Sequence, residues 1–335
     1  MVFMMQDKLF EWYGLHGRHD LPWRNTKDAY HIYLSEIMLQ QTQVKTVLER
    51  FYFPFLEAFS TLKSVADAPL DDVLKKWEGL GYYTRAKNLH HTAFTCKGVL
   101  PENIAELEAL KGIGKSTAYA IGVFAYGQVL PILDANVKRV LCRFFGLSTK
   151  NEKVLWEKAR EFLNQKYPYE HNQALMDLGS LICTSSNPLC EKCPLHVKCI
   201  GKIDPCNYPL PQKKNSVPLR KKIALVIQKN GKLGLIQRKE RLLHGLWGFT
   251  QVLEMPTHYT SLGKVVHTYT HFKLELEVLL CEPIKEVDGW FSLAEIDTLA
   301  VSTVDKKILE LLHLENALIG DKSYNPYKIY DKESE

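Results

Sequence analysis

Cys183, Cys190, Cys193 and Cys199 are separated by six, two and five residues. Four thiols so close along a chain cannot all pack as ordinary core side chains, and the spacing suits a compact cage of four sulfur ligands around a metal centre. Two metals compete for such a cage. Structural zinc usually takes cysteines as two short Cys-x-x-Cys pairs, and only Cys190 and Cys193 form one here, so a cubane iron-sulfur cluster is expected and zinc is the alternative. Paired disulfides are the plain reading. The other cysteines, Cys96, Cys142, Cys206 and Cys281, are scattered. Asp7, Lys8 and Glu11 interrupt the opening Met-rich stretch before a signal core could form, so a reducing, cytoplasmic setting with free thiols is expected.

With 335 residues and 46% hydrophobic content, the chain can bury the cores of two domains. The net charge is only +5, but Glu191 to Lys222 carries eight Lys or Arg against two acids, Glu191 and Asp204. That local excess points to a polyanion, and a solvated linker face is the competing reading. The longest apolar run, near Ala118 to Tyr126, is far too short to cross a bilayer, which argues against a membrane protein.

Up to about Cys206 the apolar residues recur at helical spacing, as in Ile37, Gln41, Val44 and Leu48, and again in Val137, Leu141, Phe144 and Phe145. This half reads as all-helical. Pro205 to Pro218, with Lys213, Lys214 and Asn215, has linker composition. Beyond it, Ala224 to Gln228 and Leu233 to Gln237 flank Asn230-Gly231, the dipeptide of a tight hairpin turn. Leu274, Leu276, Val278 and Leu280 alternate with Glu275 and Glu277 as a half-buried strand, and Ser292 with Glu295 and Ser302 with Asp305 read as helix starts. The expected division is an all-α domain over 1–206, a linker over 207–221, an α+β domain over 222–316 and a flexible polar tail over 317–335.

Leu110-Lys111-Gly112-Ile113-Gly114-Lys115 lies between two helical stretches. Its glycines let the backbone turn sharply and expose amides that accept phosphate oxygens, although a Gly-x-Gly is often only a tight connection. Asp134 follows Ile132 and Leu133 and opens a basic helix, a good position for a helix cap. Glu36 is crowded by Ile32, Ile37 and Leu39 on a helical projection, a setting that would raise its pKa toward that of a general acid. Two carboxylates in unlike surroundings can divide acid and charge-stabilising work across a glycosidic bond.

Several segments, in the same order, resemble adenine DNA glycosylases of the MutY family. These are Leu34 to Val44, Gly79-Leu80-Gly81-Tyr82-Tyr83, the glycine hairpin, the Asp134 segment and the four-cysteine run. The resemblance implies a helix-hairpin-helix glycosylase domain with a 4Fe-4S loop. Its six-helix module would span about 21–131, and its iron-sulfur module about 1–20 and 132–206. The duplex DNA substrate would carry adenine mispaired with 8-oxoguanine or guanine, bound by a monomer at the bacterial nucleoid. Glu36 would protonate adenine, Asp134 would stabilise the cationic sugar, and Asn136 and Tyr119 would orient groups nearby. Arg24 and Gln173 would read the adenine edge, Gln40 and Tyr82 would fill or wedge the helix, and Gly112, Gly114 and Lys115 would hold a phosphate. Tyr82 as a plain core aromatic is the competing reading. In endonuclease III-like relatives, the residue two after the second glycine is a nucleophilic lysine. Here it is Ser116, with Lys115 turned about 100° away on the helix, so excision by water is expected.

The second domain resembles the Nudix-like module that inspects 8-oxoguanine in this family, through Leu243 to Phe249 and His267 to Phe272. Tyr269, Thr270 and His271 stand where the family usually carries Phe-Ser-His. No acidic metal-binding helix follows Gly248, so no pyrophosphatase activity is expected. The rival readings are a bifunctional endonuclease III-like glycosylase and lyase, and a noncatalytic iron-sulfur DNA-binding protein.

Overall fold

A computed structural model describes residues 2–149, 151–210, 217–240, 242–282 and 286–314. The expected tail at 317–335 and the linker residues Lys213, Lys214 and Asn215 lie outside the described residues. Two compact units are present, Met1–Asp67 with Asn88–Lys214, and Ala68–Lys87 with Asn215–Glu335. Among the described residues no helix is long and apolar enough to cross a membrane.

The first unit is helical. It opens with α1 (Val2–His16) and α2 (Ala29–Met38), followed by α3 (Val44–Val47), α4 (Phe53–Ala58) and α5 (Leu62–Asp67). After α6 (Leu70–Lys76) of the second unit and α7 (Thr84–Thr95), which spans the division, come α8 (Ile104–Ala109) and α9 (Lys115–Phe124). The last three are α10 (Ala135–Phe145), α11 (Glu152–Phe162) and α12 (Pro168–Leu181). Asp28 caps α2 by accepting from the amides of Tyr30 and His31. The helical period read through Ile37, Gln41, Val44 and Leu48 is broken: α2 stops at Met38, and Gln41 takes a left-handed φ of 58°. Gln40 to Gln43 offer no apolar side chain to bury, so tertiary packing does not hold that turn helical. A π turn at Leu48–Tyr52 joins α3 to α4, where Pro54 has no amide to continue an α ladder.

The core of this unit packs Leu9 of α1 and Leu178 of α12 with Val137 and Leu141 of α10 and Phe162 of α11. A smaller cluster joins Ile32 of α2 to Ala120, Val123 and Phe124 of α9. The α8–α9 hairpin turns at Gly112, whose φ is +83° and whose added Cβ would lie 2.6 Å from the Asn88 amide nitrogen. Gly114 behaves otherwise. It sits at the N-terminus of α9 in extended conformation with open space beside it, so the hairpin requires one glycine rather than two.

The second unit contains a mixed sheet. Its strands are β1 (Leu219–Lys229), β2 (Lys232–Gln237), β3 (Trp247–Gly248), β4 (Thr250–Val252), β5 (Thr260–Thr268), β6 (Lys273–Cys281) and β7 (Gly289–Phe291). The order is β3-β2-β1-β6-β5, with β4 on β1 and β7 on β2, and β1 runs parallel to β6. Asn230 and Gly231 take φ of 51° and 74°, the turn geometry expected between β1 and β2. Ser292 forms a complete capping box with Glu295 at α13 (Leu293–Ile296), and Ser302 receives the Asp305 amide at the start of α14 (Thr303–Leu314). Ala224, Leu276 and Val278 face Val304 and Ile308 of α14. The apolar face expected along β6 runs on to Leu280, which packs against the same cluster, but Leu279 is buried on the opposite face with Ile223 and Leu225. This part of the strand is covered on both sides.

Gly112→Ala should lower the urea midpoint by an amount equivalent to about 1–3 kcal/mol, through positive-φ strain and collision with Asn88. Gly114→Ala should cost under about 1 kcal/mol, and equal losses would contradict the one-glycine account.

Candidate active site

Glu36 is the one carboxylate on α2, a helix that otherwise buries Tyr30, Ile32, Tyr33, Leu34, Ser35, Ile37 and Met38. Asp134 precedes α10 and accepts from the Val137 amide at 2.6 Å and from Asn136 Nδ2 at 3.3 Å. Both carboxylates line one cavity of about 140 Å3, together with Arg18, Arg24, Asn136 and Gln173. Apolar side chains of Ile32, Leu39, Phe124 and Met176 complete its wall. Ile37, expected beside Glu36, does not line the cavity, because the next helical position turns it into the core.

Burial pushes the Glu36 carboxyl up to about 8, the charge of Asp134 adds to the rise, and Arg24 opposes it. Burial also raises Asp134, while its bonds from Val137 and Asn136 favour its charged form. Burial therefore favours the protonated form of Glu36 at neutral pH, and the bonds to Asp134 work against the same tendency there. Asn136 is itself fixed: its Oδ1 accepts from Arg139 at 2.9 Å, and Arg139 also donates to the carbonyls of Gly179 at 2.6 Å and Cys183 at 2.7 Å.

Arg24 reaches the cavity wall with its fork already engaged. It donates at 2.7 and 2.8 Å to the two oxygens of Asp177, leaving buried Nε as its donor without a partner among the described residues. Asp177 also receives Arg18 Nε at 2.8 Å and the Arg18 amide at 2.9 Å, so it compensates two guanidinium groups. These charges hold its carboxyl below the usual range despite burial. Sequence reasoning missed Asp177 and Arg18. The available signal was an acid one turn beyond Gln173 on the buried side of α12. Gln173 lines the cavity and bonds Tyr169, whose hydroxyl donates to the Arg24 carbonyl at 2.8 Å.

Other expected residues lie elsewhere. Gln40, Ser116, Lys115 and Tyr119 do not line the cavity. The Lys115 ammonium sits 4.7 Å from the Trp156 ring centroid and 5.4 Å from that of Tyr119, a cation-π clamp that turns it toward α11. Tyr119 packs against both helical cores. In the second unit, Tyr82, Tyr269, Thr270 and His271 line one open cleft of about 700 Å3. Tyr82 is 41% exposed at a left-handed φ of 49°, so it is not a core aromatic. Its hydroxyl lies 3.4 Å from Thr270 Oγ1. Tyr269 packs edge-on against His267 and at a tilt against Phe272, and burial raises its hydroxyl to about 12.

Cys183, Cys190, Cys193 and Cys199 border a separate cavity, with Ile182, Pro188 and Pro205 around them. All eight cysteines are free thiols, which removes the disulfide reading. Arg143 donates to Cys183 Sγ at 3.3 Å and to the Thr184 carbonyl at 2.6 Å, bracing the loop that carries the first thiol. Among the described residues no three His, Cys, Asp or Glu side chains are gathered as for a single metal ion. Four cysteine side chains around one cavity supply the thiolate donor set that either a 4Fe-4S cluster or zinc takes.

Residues 34–165 match the HhH-GPD superfamily base excision DNA repair protein model, and 223–311 match the NUDIX domain model. An adenine DNA glycosylase of Buchnera aphidicola subsp. Baizongia pistaciae is 40% identical over 71% of this chain and 70% of that protein. The human adenine DNA glycosylase is 31% identical over 92% of this chain and 74% of its own length. The chain belongs to the adenine DNA glycosylase family. It is thus a DNA glycosylase of base-excision repair, with a helix-hairpin-helix domain followed by a Nudix-like domain. Among solved structures, a thermostable thymine-DNA glycosylase is similar at TM-score 0.55 and 29% identity, over 59% of this chain and 94% of that one. Endonuclease III in a non-covalent DNA complex shares the fold at TM-score 0.52 and 18% identity, covering 59% of this chain and 93% of that one.

Asp177→Asn should destabilise the protein by about 3–5 kcal/mol, because it leaves two guanidinium groups without their shared carboxylate. A denaturation midpoint unchanged from that of the parent would show that Asp177 does not compensate them.

Proposed function

We propose that this glycosylase acts as a monomer and hydrolyses the N-glycosidic bond of adenine paired with 8-oxoguanine or guanine, without a lyase step of its own. The observation that carries the reading is the shared cavity in which burial keeps Glu36 protonated beside Asp134. Adenine leaves poorly as an anion, so the Glu36 proton, delivered to the base, removes the leaving group's charge. As the bond breaks, positive charge develops on the sugar, and the Asp134 carboxylate stabilises it electrostatically or as a transient nucleophile. Glu36, now ionised, accepts a proton from the incoming water. Asn136 holds Asp134 by its Nδ2 and is held in turn by Arg139.

The base must leave the stack to enter this cavity, and a mispair lowers that cost. Tyr82, exposed on its strained turn, is suited to wedge the duplex, and Tyr269, Thr270 and His271 present ring, hydroxyl and imidazole to the opposite base. The absence of a lyase step is supported by Ser116 and by the Lys115 clamp over Trp156, since neither residue offers an amine to the cavity. The four thiolates would hold a 4Fe-4S cluster, which when bound supplies a rigid cross-link between loops. The exposed Lys192 and Lys198 are then carried on an ordered surface suited to phosphates.

Glu36→Gln should abolish adenine release from an A:8-oxoguanine duplex while leaving DNA binding within about threefold. The acid works in its protonated form, so the parent rate should fall about tenfold per pH unit above the Glu36 value of about 8. A flat profile from pH 7 to 10 would remove Glu36 from the acid role. Product strands should break only after alkali, and breaks without alkali would favour the bifunctional rival. An isolated protein that is colourless and contains zinc instead of iron would defeat the cluster reading.

A further inference from the structure

Glu78 follows α6 and has a side chain only 10% exposed, yet no partner of its carboxylate completes a catalytic or cluster site. Its Oε1 accepts from the Val301 amide at 3.1 Å, and its Oε2 accepts from Lys306 at 2.8 Å and Lys75 at 3.0 Å. Lys75 also donates to the Leu299 carbonyl at 3.0 Å, and the Tyr83 hydroxyl to the Val301 carbonyl at 3.4 Å. One nearly buried carboxylate thus binds the turn that carries Tyr82 to the chain that begins α14. From α14, Lys307 reaches the Val266 carbonyl at 2.9 Å, at the strand end that leads into Tyr269, Thr270 and His271. Tyr82 and Thr270 close the circuit across their cleft.

We propose that Glu78 is a positioning residue that couples inspection of the opposite base to the placement of Tyr82, and so sets how strongly excision depends on 8-oxoguanine. The inference rests on the proposed reading of that cleft as the inspecting surface. A carboxylate shared by two lysines and one amide has a single well-satisfied arrangement, so displacement of the inspecting loop through α14 is felt at the Tyr82 turn. The turn also has little freedom of its own: Arg85 lies over the Trp77 and Tyr82 rings and donates to the carbonyls of Leu80 and Gly81.

The test is single-turnover adenine release from A:8-oxoguanine and A:G duplexes by the full chain, Glu78→Gln, Lys306→Ala and the double variant. The parent should be faster on the first duplex. Glu78→Gln should reduce that rate ratio by about threefold or more, leaving the A:G rate within about twofold, and the double variant should be no worse than the more affected single one. An unchanged ratio, an equal fall on both duplexes, or effects that simply add would overturn the coupling. Lys306→Ala, on the solvent side of the contact, keeps the test valid if Glu78→Gln folds poorly. A parent without preference between the duplexes would overturn the inspecting-surface reading itself, and the inference with it.

Discussion

A carboxyl group held protonated near neutral pH is the constraint around which this molecule is arranged. Such a group must be kept from water, and a second carboxylate nearby must have a reason to stay charged. The walls of α2 and α9 meet the first demand, and the cap of α10 works toward the second against the burial of Asp134. Asp134 is therefore both an ordinary helix cap and a chemical group. The Val137 amide that it caps at the start of α10 also favours its charged form, against the burial that raises it.

Charge around this pair is balanced from a distance. Arg24 opposes the rise of Glu36, and an uncompensated guanidinium so close would pull the proton away. Asp177 tempers that field by taking both arms of the fork. The Asn136 to Arg139 to Cys183 path then joins the acidic wall to the thiol-bearing loop, so the loop's order and the cavity's geometry share one set of hydrogen bonds.

What could be read from the chain divides by distance. The Asn230-Gly231 turn, the Ser292 capping box and the two-residue offset of Gly112 and Gly114 are local chemistry, and they appear where expected, although only Gly112 needs to be glycine. Glu36 and Asp134 could be named individually, but their shared cavity depends on two helices far apart in sequence. The pairing of Arg24 with Asp177 spans more than half the first unit, and no periodicity carries it. The broken period after Met38 was illegible for the opposite reason. Its spacing imitates a helix, while the polar run Gln40 to Gln43 supplies nothing for a core to hold.

The division of the chain has a temporal consequence. Ala68–Lys87 sits inside the sequence of the first unit but groups with Asn215–Glu335. During synthesis at about 5–20 residues per second, that segment leaves the ribosome about 6–25 s before its companions begin to emerge. The bonds of Glu78 to the Val301 amide and to Lys306 must wait through this interval while the helices on either side assemble. A nascent chain of this kind has a window of vulnerability set by where one short stretch was placed in the gene rather than by the stability of the finished fold.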